Sequence, residues 1–377
     1  MPNVSAKGLT IQGCEPGGQA EATGQVRTGD SITHVNGVDV RAMTAQEITA
    51  EIKKGSTVMM TLQQPDPGPH AATWNELEVD LSGGAFAAQS PDDHAGMVAA
   101  LQSPHAVTQV LNLAKNPVGP DIGKALTFVL KLNTSLTVLN LHACRLSTAC
   151  GKGIAESLRS NKTLKELDLS GNEFEEATAK ALGAMLKKNR SLEILNLSAS
   201  GADSLGADGA VEIAKALQTN KSLKVLLIAG SATTSGNVPV VGDKGARAMV
   251  EALKQNASLL TLDMSYNDLG DQPGVGLEIM LKSNVTLKTL TVSNNKFTKK
   301  TGVAIGGGLG LNTTLTTLVL NNNQLKQKGV MAILKGIDAG SIGTGSLSTL
   351  SVRENKLSAK EREKAIKAWS DKGKLEI

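Results

Sequence analysis

The sequence predicts an α/β solenoid, with parallel strands on its inner side and helices on its outer side, preceded by a small α+β module. Two observations support this fold class. A short leucine motif returns at regular intervals through more than two thirds of the chain. Aromatic residues make up only 2% of the chain, so the core must consist of thin layers of aliphatic side chains, which stacked repeats provide.

The recurring motif is L-x-x-L-x-L, and a degenerate ninth copy begins at Thr108. Successive copies are 28, 28, 28, 31, 36, 28, 28 and 32 residues apart, so the basic unit has 28 residues and three units carry insertions. The apolar alternation predicts a strand at the start of each unit, and the Ala- and Gly-rich stretch after it predicts a helix. The eight clear copies begin at Leu136, Leu164, Leu192, Leu223, Leu259, Leu287, Leu315 and Leu347.

Asparagines recur at two places in the unit. One set follows the strand, and we expect it to form a ladder that satisfies backbone groups, with Cys144 as a variant at the same place. The other set precedes the next strand, and we expect these residues to end the helices by adopting a left-handed conformation. Both sets are architectural, so the N-x-S/T sequences at the second are interpreted as corners and not as glycosylation sites. The first set is Asn116, Asn172, Asn267, Asn295, Asn323 and Asn355; the second is Asn133, Asn161, Asn189, Asn220, Asn256, Asn284 and Asn312.

A 28-residue strand–helix unit with L-x-x-L-x-L-x-x-N resembles the ribonuclease-inhibitor class of leucine-rich repeats, over about residues 108–370. The resemblance implies a curved array with a parallel sheet inside, helices outside and a cap at each end. Residues 91–103 and 358–373 are the expected capping helices, with Trp369 covering the last layer. The class includes Ran GTPase-activating proteins and the tropomodulin tail, so small-GTPase regulation and actin-filament capping are alternative functions.

Residues 8–62 carry no repeat, and their turn residues resemble a PDZ domain from its third strand onward. A helix is expected over 44–53 and a strand over 57–62. The resemblance implies binding of a partner's C-terminal peptide along a strand edge. That strand would precede residue 8, so we expect the module, 1–63, to be N-terminally incomplete, to borrow residues 74–81 or to be vestigial. A linker over 64–90 and the array over 91–377 follow. The turn residues are Pro16-Gly17-Gly18, Gly29-Asp30 and Asn36-Gly37.

Charge and composition exclude several function classes. The net charge is +4, of which residues 1–90 contribute −5 (five Lys/Arg against ten Asp/Glu) and the remainder +9. The basic residues are scattered and not interleaved with aromatics, so no nucleic-acid partner is predicted. No long apolar stretch or signal sequence is present, so we predict no membrane insertion. Only three cysteines occur, and we predict a reducing, cytoplasmic location.

No catalytic or cofactor motif assembles in the sequence. The five histidines have no metal-ligand spacing, and the glycine-rich segment 119–126 lacks the spacing and the Ser or Thr of a phosphate loop. We therefore predict no enzyme activity, no cofactor and no small-molecule substrate.

We instead predict a scaffold or adaptor with protein partners. Strand alternation places the residues between the leucines on the concave face, and insertions at 201–209, 230–245 and 338–346 lengthen the rims. The alternative is a plain solvated sheet face with loops of neutral length. The candidate partner-binding residues are Asn140, His142, Asp168, Ser170, Asn196, Ser198, Asp263, Ser265, Asn321 and Arg353 on the face, Asn237 and Asp243 in the longest insertion, and Tyr266, the single tyrosine of the chain.

Overall fold

The computed structural model of the chain divides into two compact units, Met1–Ala71 and Ala72–Ile377. In the part of the chain that it describes, no helix is long and apolar enough to cross a membrane. The described residues are 31–35, 38–39, 60–63, 76–86, 91–103, 105–198, 206–233, 236–238, 241–339, 347–369 and 373–377.

The first unit contains a small antiparallel sheet. Its strands are β1 (Ser31–Val35), β2 (Val38–Asp39) and β3 (Met60–Gln63), in the order β2-β1-β3. Strand β3 overlaps the strand predicted over 57–62. The helix expected over 44–53 lies outside the described residues. The prediction that the first PDZ strands are missing concerns the start of the chain, which also lies outside them.

The second unit is built on one parallel sheet of eleven strands. In each of the nine repeat strands the central residue is buried, and the residue before it is half-exposed, as the leucine spacing predicts. Neighbouring strands pair in step, so equivalent residues of successive units lie side by side. The strands are β4 (Glu78–Asp80), β5 (Val110–Asn112), β6 (Val138–Asn140), β7 (Glu166–Asp168), β8 (Ile194–Asn196), β9 (Val225–Leu227), β12 (Thr261–Asp263), β13 (Thr289–Thr291), β14 (Thr317–Val319), β15 (Thr349–Ser351) and β16 (Lys374–Glu376).

Helices connect the parallel strands and pack against one another through small residues. The helices Lys299–Leu309 and Lys326–Ala339 approach so closely that a side-chain carbon added at Gly336 would clash with the backbone carbonyl of Gly306. The predicted helix after each repeat strand is confirmed. The helices are α1 (Pro91–Gln102), α2 (Gly119–Leu132), α3 (Thr148–Leu158), α4 (Glu176–Leu186), α5 (Gly206–Leu217), α6 (Gly242–Leu253), α7 (Gly274–Ser283), α8 (Lys299–Leu309), α9 (Lys326–Ala339) and α10 (Ala359–Trp369).

The longest insertion contains an antiparallel ribbon. Strands β10 (Ser231–Thr233) and β11 (Gly236–Val238) form it directly after β9. Residues 199–205 and 340–346, which include most of the other two insertions, lie outside the described residues.

The array extends beyond the nine predicted units at both ends. Strand β4 lies inside the segment predicted as a linker, 64–90, and pairs with β5 in the large sheet. The predicted linker over 64–90 is therefore corrected at residues 78–80, which form a strand of the array. At the other end β16 pairs with β15, and Trp369 is 3% exposed, as expected of a residue that covers the last layer.

The asparagines that end the helices work differently from the sequence prediction. Asn133 and Asn284 have φ/ψ of −67°/134° and −78°/126°, which is extended and not left-handed backbone. Their side chains bond instead to backbone groups outside their own helix. In the equivalent residue Asn189, which follows α4, Nδ2 donates to the Leu158 carbonyl at 2.6 Å and Oδ1 accepts from the Leu192 amide at 2.8 Å. The side chain thus joins the end of α3, in the preceding unit, to the residues that lead into β8.

The asparagine ladder after the strands is confirmed. Asn172 Nδ2 donates to the carbonyls of Leu141 and Leu169 at 2.8 and 2.9 Å, so it links two successive units. In the preceding unit Cys144 takes the same place, and its Sγ donates to the Leu113 carbonyl at 3.1 Å. Burial raises the pKa of the Cys144 thiol to about 11, so the thiol remains protonated at neutral pH. Its role is architectural.

Candidate functional site

The candidate site lies on the face of the sheet turned away from the helices, which we call the open face; it is the concave face of the sequence prediction. Three rows of side chains run across it in register. The first row holds the first residue of each strand, the second row the third residue, and the third row the residue two places beyond the strand. In strand β6 these are Val138, Asn140 and His142, all half-exposed.

Four of the predicted residues on adjacent strands are joined by hydrogen bonds between side chains. His142 Nδ1 lies 2.8 Å from Ser170 Oγ. The Ser170 hydroxyl donates to Asp168 Oδ1 at 2.5 Å, and Asn196 Nδ2 donates to Asp168 Oδ2 at 2.9 Å. The Asp168 carboxylate is therefore held by Ser170 of its own unit and by Asn196 of the next unit.

Two further predicted residues extend this group at its ends. Asn140 Oδ1 accepts from the His142 amide at 2.9 Å, and Asn196 Oδ1 accepts from the Ser198 amide at 3.1 Å. Ser198 Oγ in turn accepts from the amide of Ala229, beyond β9, at 3.2 Å. We call the six residues the open-face network: Asn140, His142, Asp168, Ser170, Asn196 and Ser198.

The network fixes the protonation pattern of its histidine. Since the Ser170 hydrogen is directed at Asp168, Ser170 Oγ accepts from His142, which places the imidazole hydrogen on Nδ1. Nε2 has no hydrogen-bond partner among the described residues. In a hydrolytic triad the histidine lies between serine and carboxylate, whereas here the serine lies between them. The network therefore orders polar groups and does not activate the serine as a nucleophile.

A second polar cluster lies at the C-terminal end of the open face. Asn321 Oδ1 accepts from the Arg353 amide at 2.9 Å and lies 2.7 Å from Ser351 Oγ. Ser351 Oγ is also 2.9 Å from Glu376 Oε2. The hydrogen bond from Lys374 holds the pKa of the Glu376 carboxyl below its usual range. The sequence prediction included Asn321 and Arg353 but missed Glu376, because β16 lacks the leucine motif.

The remaining predicted residues do not join either group. Asp263 Oδ1 accepts from the Ser265 amide at 2.8 Å within its own unit. Asp243 Oδ1 accepts from the Gly270 amide at 2.8 Å, so this carboxylate joins α6 to the following unit. Asn237 lies in β11, and its side chain lies outside the described residues.

Tyr266 has a left-handed backbone conformation, with φ of 57°. The same conformation occurs at the equivalent place of other units, which hold Lys115, Ala143, Gly171, Asn294, Asn322 and Glu354. The left-handed turn therefore belongs to the repeat, which accepts several residue types at this place.

Tyr266 also lies at the base of the β10–β11 ribbon. The Gly230 amide, just before the ribbon, donates to the Ser265 carbonyl at 2.8 Å. The Val241 amide, just after it, donates to Asn267 Oδ1 at 2.8 Å. The two ends of the ribbon are thus attached to the residues on either side of Tyr266, and the two features form one part of the rim.

The described residues contain no group of three or more His, Cys, Asp or Glu side chains placed to hold a metal ion.

Comparison with known proteins agrees with this division of the chain. A family model described as PDZ domain matches residues 2–63, and one described as Leucine Rich repeat matches residues 160–183, 255–272 and 311–334. No curated protein matches the sequence significantly.

Several solved structures resemble the chain. Leiomodin-1 actin-binding site 2 is 23% identical, with a TM-score of 0.36 over 45% of this chain and 91% of that one. The tropomodulin C-terminal domain of Caenorhabditis elegans is 17% identical, with a TM-score of 0.29 over 34% of this chain and 75% of that one. The leucine-rich repeat-containing protein LegL7 of Legionella pneumophila is 18% identical, with a TM-score of 0.48 over 82% of this chain and 96% of that one. With its two family matches, the chain is a protein that joins an N-terminal PDZ domain to an array of leucine-rich repeats.

Proposed function

We propose that the protein is a scaffold or adaptor that binds a protein partner through the open face of its array. PDZ domains and leucine-rich repeats are both modules of protein–protein interaction. The PDZ domain supplies a second binding module, for the C-terminal peptide of another protein. The proposal is of a binding protein and not of an enzyme.

The open-face network is the observation that supports the proposal. The repeat needs its buried leucines and its two sets of asparagines, but it does not need Asp168 and Asn196, which bond to each other on the half-exposed side of the sheet. Side chains that are already ordered lose little conformational entropy when a partner binds. A polar surface ordered in this way is suited to recognise a complementary protein surface.

A pair of serine substitutions tests the proposal. The immobilised full-length chain is used to capture partners from its own cells, and the purified partner is then titrated against two variants. Ser198→Arg places a large cation within the open-face network, whereas Ser283→Arg places the same side chain on α7, where Ser283 is exposed. We expect Ser198→Arg to weaken binding about tenfold or more and Ser283→Arg to leave it unchanged. Equal affinity of both variants with the wild type would exclude the open face as the binding surface.

The second binding module is tested with peptides. A library of peptides with free C-termini and the same library with amidated C-termini are offered to the full chain. We expect binding to require the free carboxylate, because PDZ domains hold that group on backbone amides. Equal retention of both libraries would contradict this part of the proposal.

A further inference from the structure

We infer that the partner presents to the open face an extended basic segment, with two cationic side chains four residues apart and an apolar side chain midway between them. The inference rests on the proposed function and names the chemistry of the partner at that same surface.

The first four strands of the sheet carry a regular pattern of charge. In the first row, Glu78 pairs in register with Val110, Val110 with Val138, and Val138 with Glu166. The first row therefore has a carboxylate at each end and two valines between them. The second row repeats the pattern with polar side chains: Asp80, Asn112, Asn140 and Asp168.

No cationic side chain neutralises these carboxylates within the two rows. From β4 to β8 the first and second rows contain four carboxylates and no Lys or Arg. Lys165, next to Glu166 in the sequence, forms an ion pair with Glu193 at 3.3 Å, and Glu193 also binds Lys224. At the edge, the backbone hydrogen bond from Ser82 holds the pKa of the Asp80 carboxyl below its usual range, so this carboxylate is charged at neutral pH.

The spacing of the carboxylates fits an extended chain. Neighbouring strands lie about 4.8 Å apart, so three steps from β4 to β7 span about 14 Å. An extended segment advances about 3.4 Å per residue, and its residues i, i+2 and i+4 lie on one side. Cations at i and i+4 then reach the two carboxylate pairs, and the residue at i+2 lies over Val110 and Val138.

A helical segment does not fit the same pattern. A helix needs about nine steps to advance 14 Å, and over that length it turns about 900°, which brings residue i+9 to the side opposite residue i. A metal ion does not fit either, because the described residues contain no group of three or more His, Cys, Asp or Glu side chains placed to hold one.

The C-terminal half of the open face differs from this half. Its first row from β12 to β15 consists of threonines, and the second row of these four strands has one carboxylate, Asp263. Charge complementarity therefore assigns the cationic segment to the N-terminal half. The first-row threonines are Thr261, Thr289, Thr317 and Thr349.

Two labelled peptides of identical composition test the inference. The probe is Gly-Gly-Lys-Ser-Leu-Ser-Lys-Gly-Gly, and its isomer, Gly-Gly-Lys-Ser-Leu-Lys-Ser-Gly-Gly, has the cations three residues apart. Both are titrated against the full chain at low ionic strength by fluorescence anisotropy. We expect the probe to bind about fivefold more tightly than the isomer, and the preference to weaken as salt screens the charges.

Substitutions in the chain locate the binding. Glu78→Gln and Glu166→Gln keep the size of the side chain, and no side-chain hydrogen bond or ion pair joins either glutamate to another described residue. Each substitution should weaken binding of the probe peptide about two- to fivefold. The matched control is Glu156→Gln, which removes a carboxylate from α3 and should leave probe binding unchanged.

Lack of probe binding, equal binding of the two peptides, or an unchanged affinity in Glu166→Gln would overturn the inference. If the captured partner still responds to Ser198→Arg in that case, the proposed function stands and only the chemistry assigned to the partner is wrong. If the probe behaves as expected while no partner responds to Ser198→Arg, the inference holds for the surface and the proposed function fails.

Discussion

Asn189 and Asn196 lie seven residues apart in the sequence, and the array uses them in opposite ways. Asn189 is 2% exposed, and its side chain bonds to backbone groups of two units. Asn196 is half-exposed on the open face, and its Nδ2 donates to the side chain of Asp168. The same amide group belongs to the architecture in one place and to a surface in the other.

The two asparagines differ in whether water can replace the hydrogen bonds of their side chains. The backbone groups that Asn189 satisfies are buried, so water cannot take the place of its amide. The groups around Asn196 can exchange their hydrogen bonds with solvent at little cost. We therefore expect the buried asparagines to determine stability and the open-face network to determine binding.

The largest expected effect is that of Asn189→Ala. The substitution removes hydrogen bonds to the carbonyls of Leu158 and Asn161 and from the amides of Ser191 and Leu192. Buried groups left unpaired cost about 1–3 kcal/mol each, so we expect the free energy of unfolding to fall by about 3 kcal/mol or more. Urea unfolding followed by circular dichroism measures it, and a loss below about 1 kcal/mol would contradict the architectural role.

A smaller effect is expected from Cys144, the thiol variant of the ladder, at alkaline pH. Its pKa is raised from 9.0 to about 11 in the folded chain, so unfolding releases a proton once the pH exceeds about 9. The contribution of the neutral thiol is therefore complete below pH 9 and is lost as the pH rises towards 11.

We expect the wild type to lose about 1 kcal/mol more stability than Cys144→Ser between pH 8 and pH 10. Urea unfolding of both chains at the two pH values measures the difference. An equal loss of unfolding free energy in the two chains would show that the thiol is not held in its neutral form.

Ser170→Ala tests the connection within the open-face network. The substitution removes the hydroxyl between His142 and Asp168, and we expect the unfolding free energy to fall by about 1 kcal/mol or less. Nitrogen-15 NMR should show the His142 hydrogen on Nδ1 in the wild type and a mixture of tautomers in the variant. An unchanged tautomer would contradict the geometry of the network.

The strands were predictable from the sequence because the buried leucines fix their register. Leu139, for example, places Val138 and Asn140 on the opposite face, and the structure has β6 over those three residues. Strands β4 and β16 lack the full motif, and only pairing with their neighbours identifies them as strands.

The hydrogen bonds were less predictable than the strands. Alternation shows that Asp168 and Asn196 face outward, but their contact depends on the lateral register of units 28 residues apart. The prediction for Asn133 was wrong because its backbone is extended, and its side chain bonds instead to the Leu101 carbonyl of the preceding helix and to the Leu136 amide.

The smallest expected effect on stability, and the most informative, is that of Asn196→Ala. Since its side chain bonds on a half-exposed surface, we expect a change in unfolding free energy below about 1 kcal/mol. Ser198→Ala, at the edge of the network, serves as a milder companion variant.

The most direct test of the contrast between Asn189 and Asn196 is a titration of the purified partner against Asn196→Ala. The unfolding free energy of the variant is measured on the same sample. The account predicts stability within about 1 kcal/mol of the wild type together with affinity about tenfold weaker. Unchanged affinity, or a loss of stability as large as that of Asn189→Ala, would contradict it.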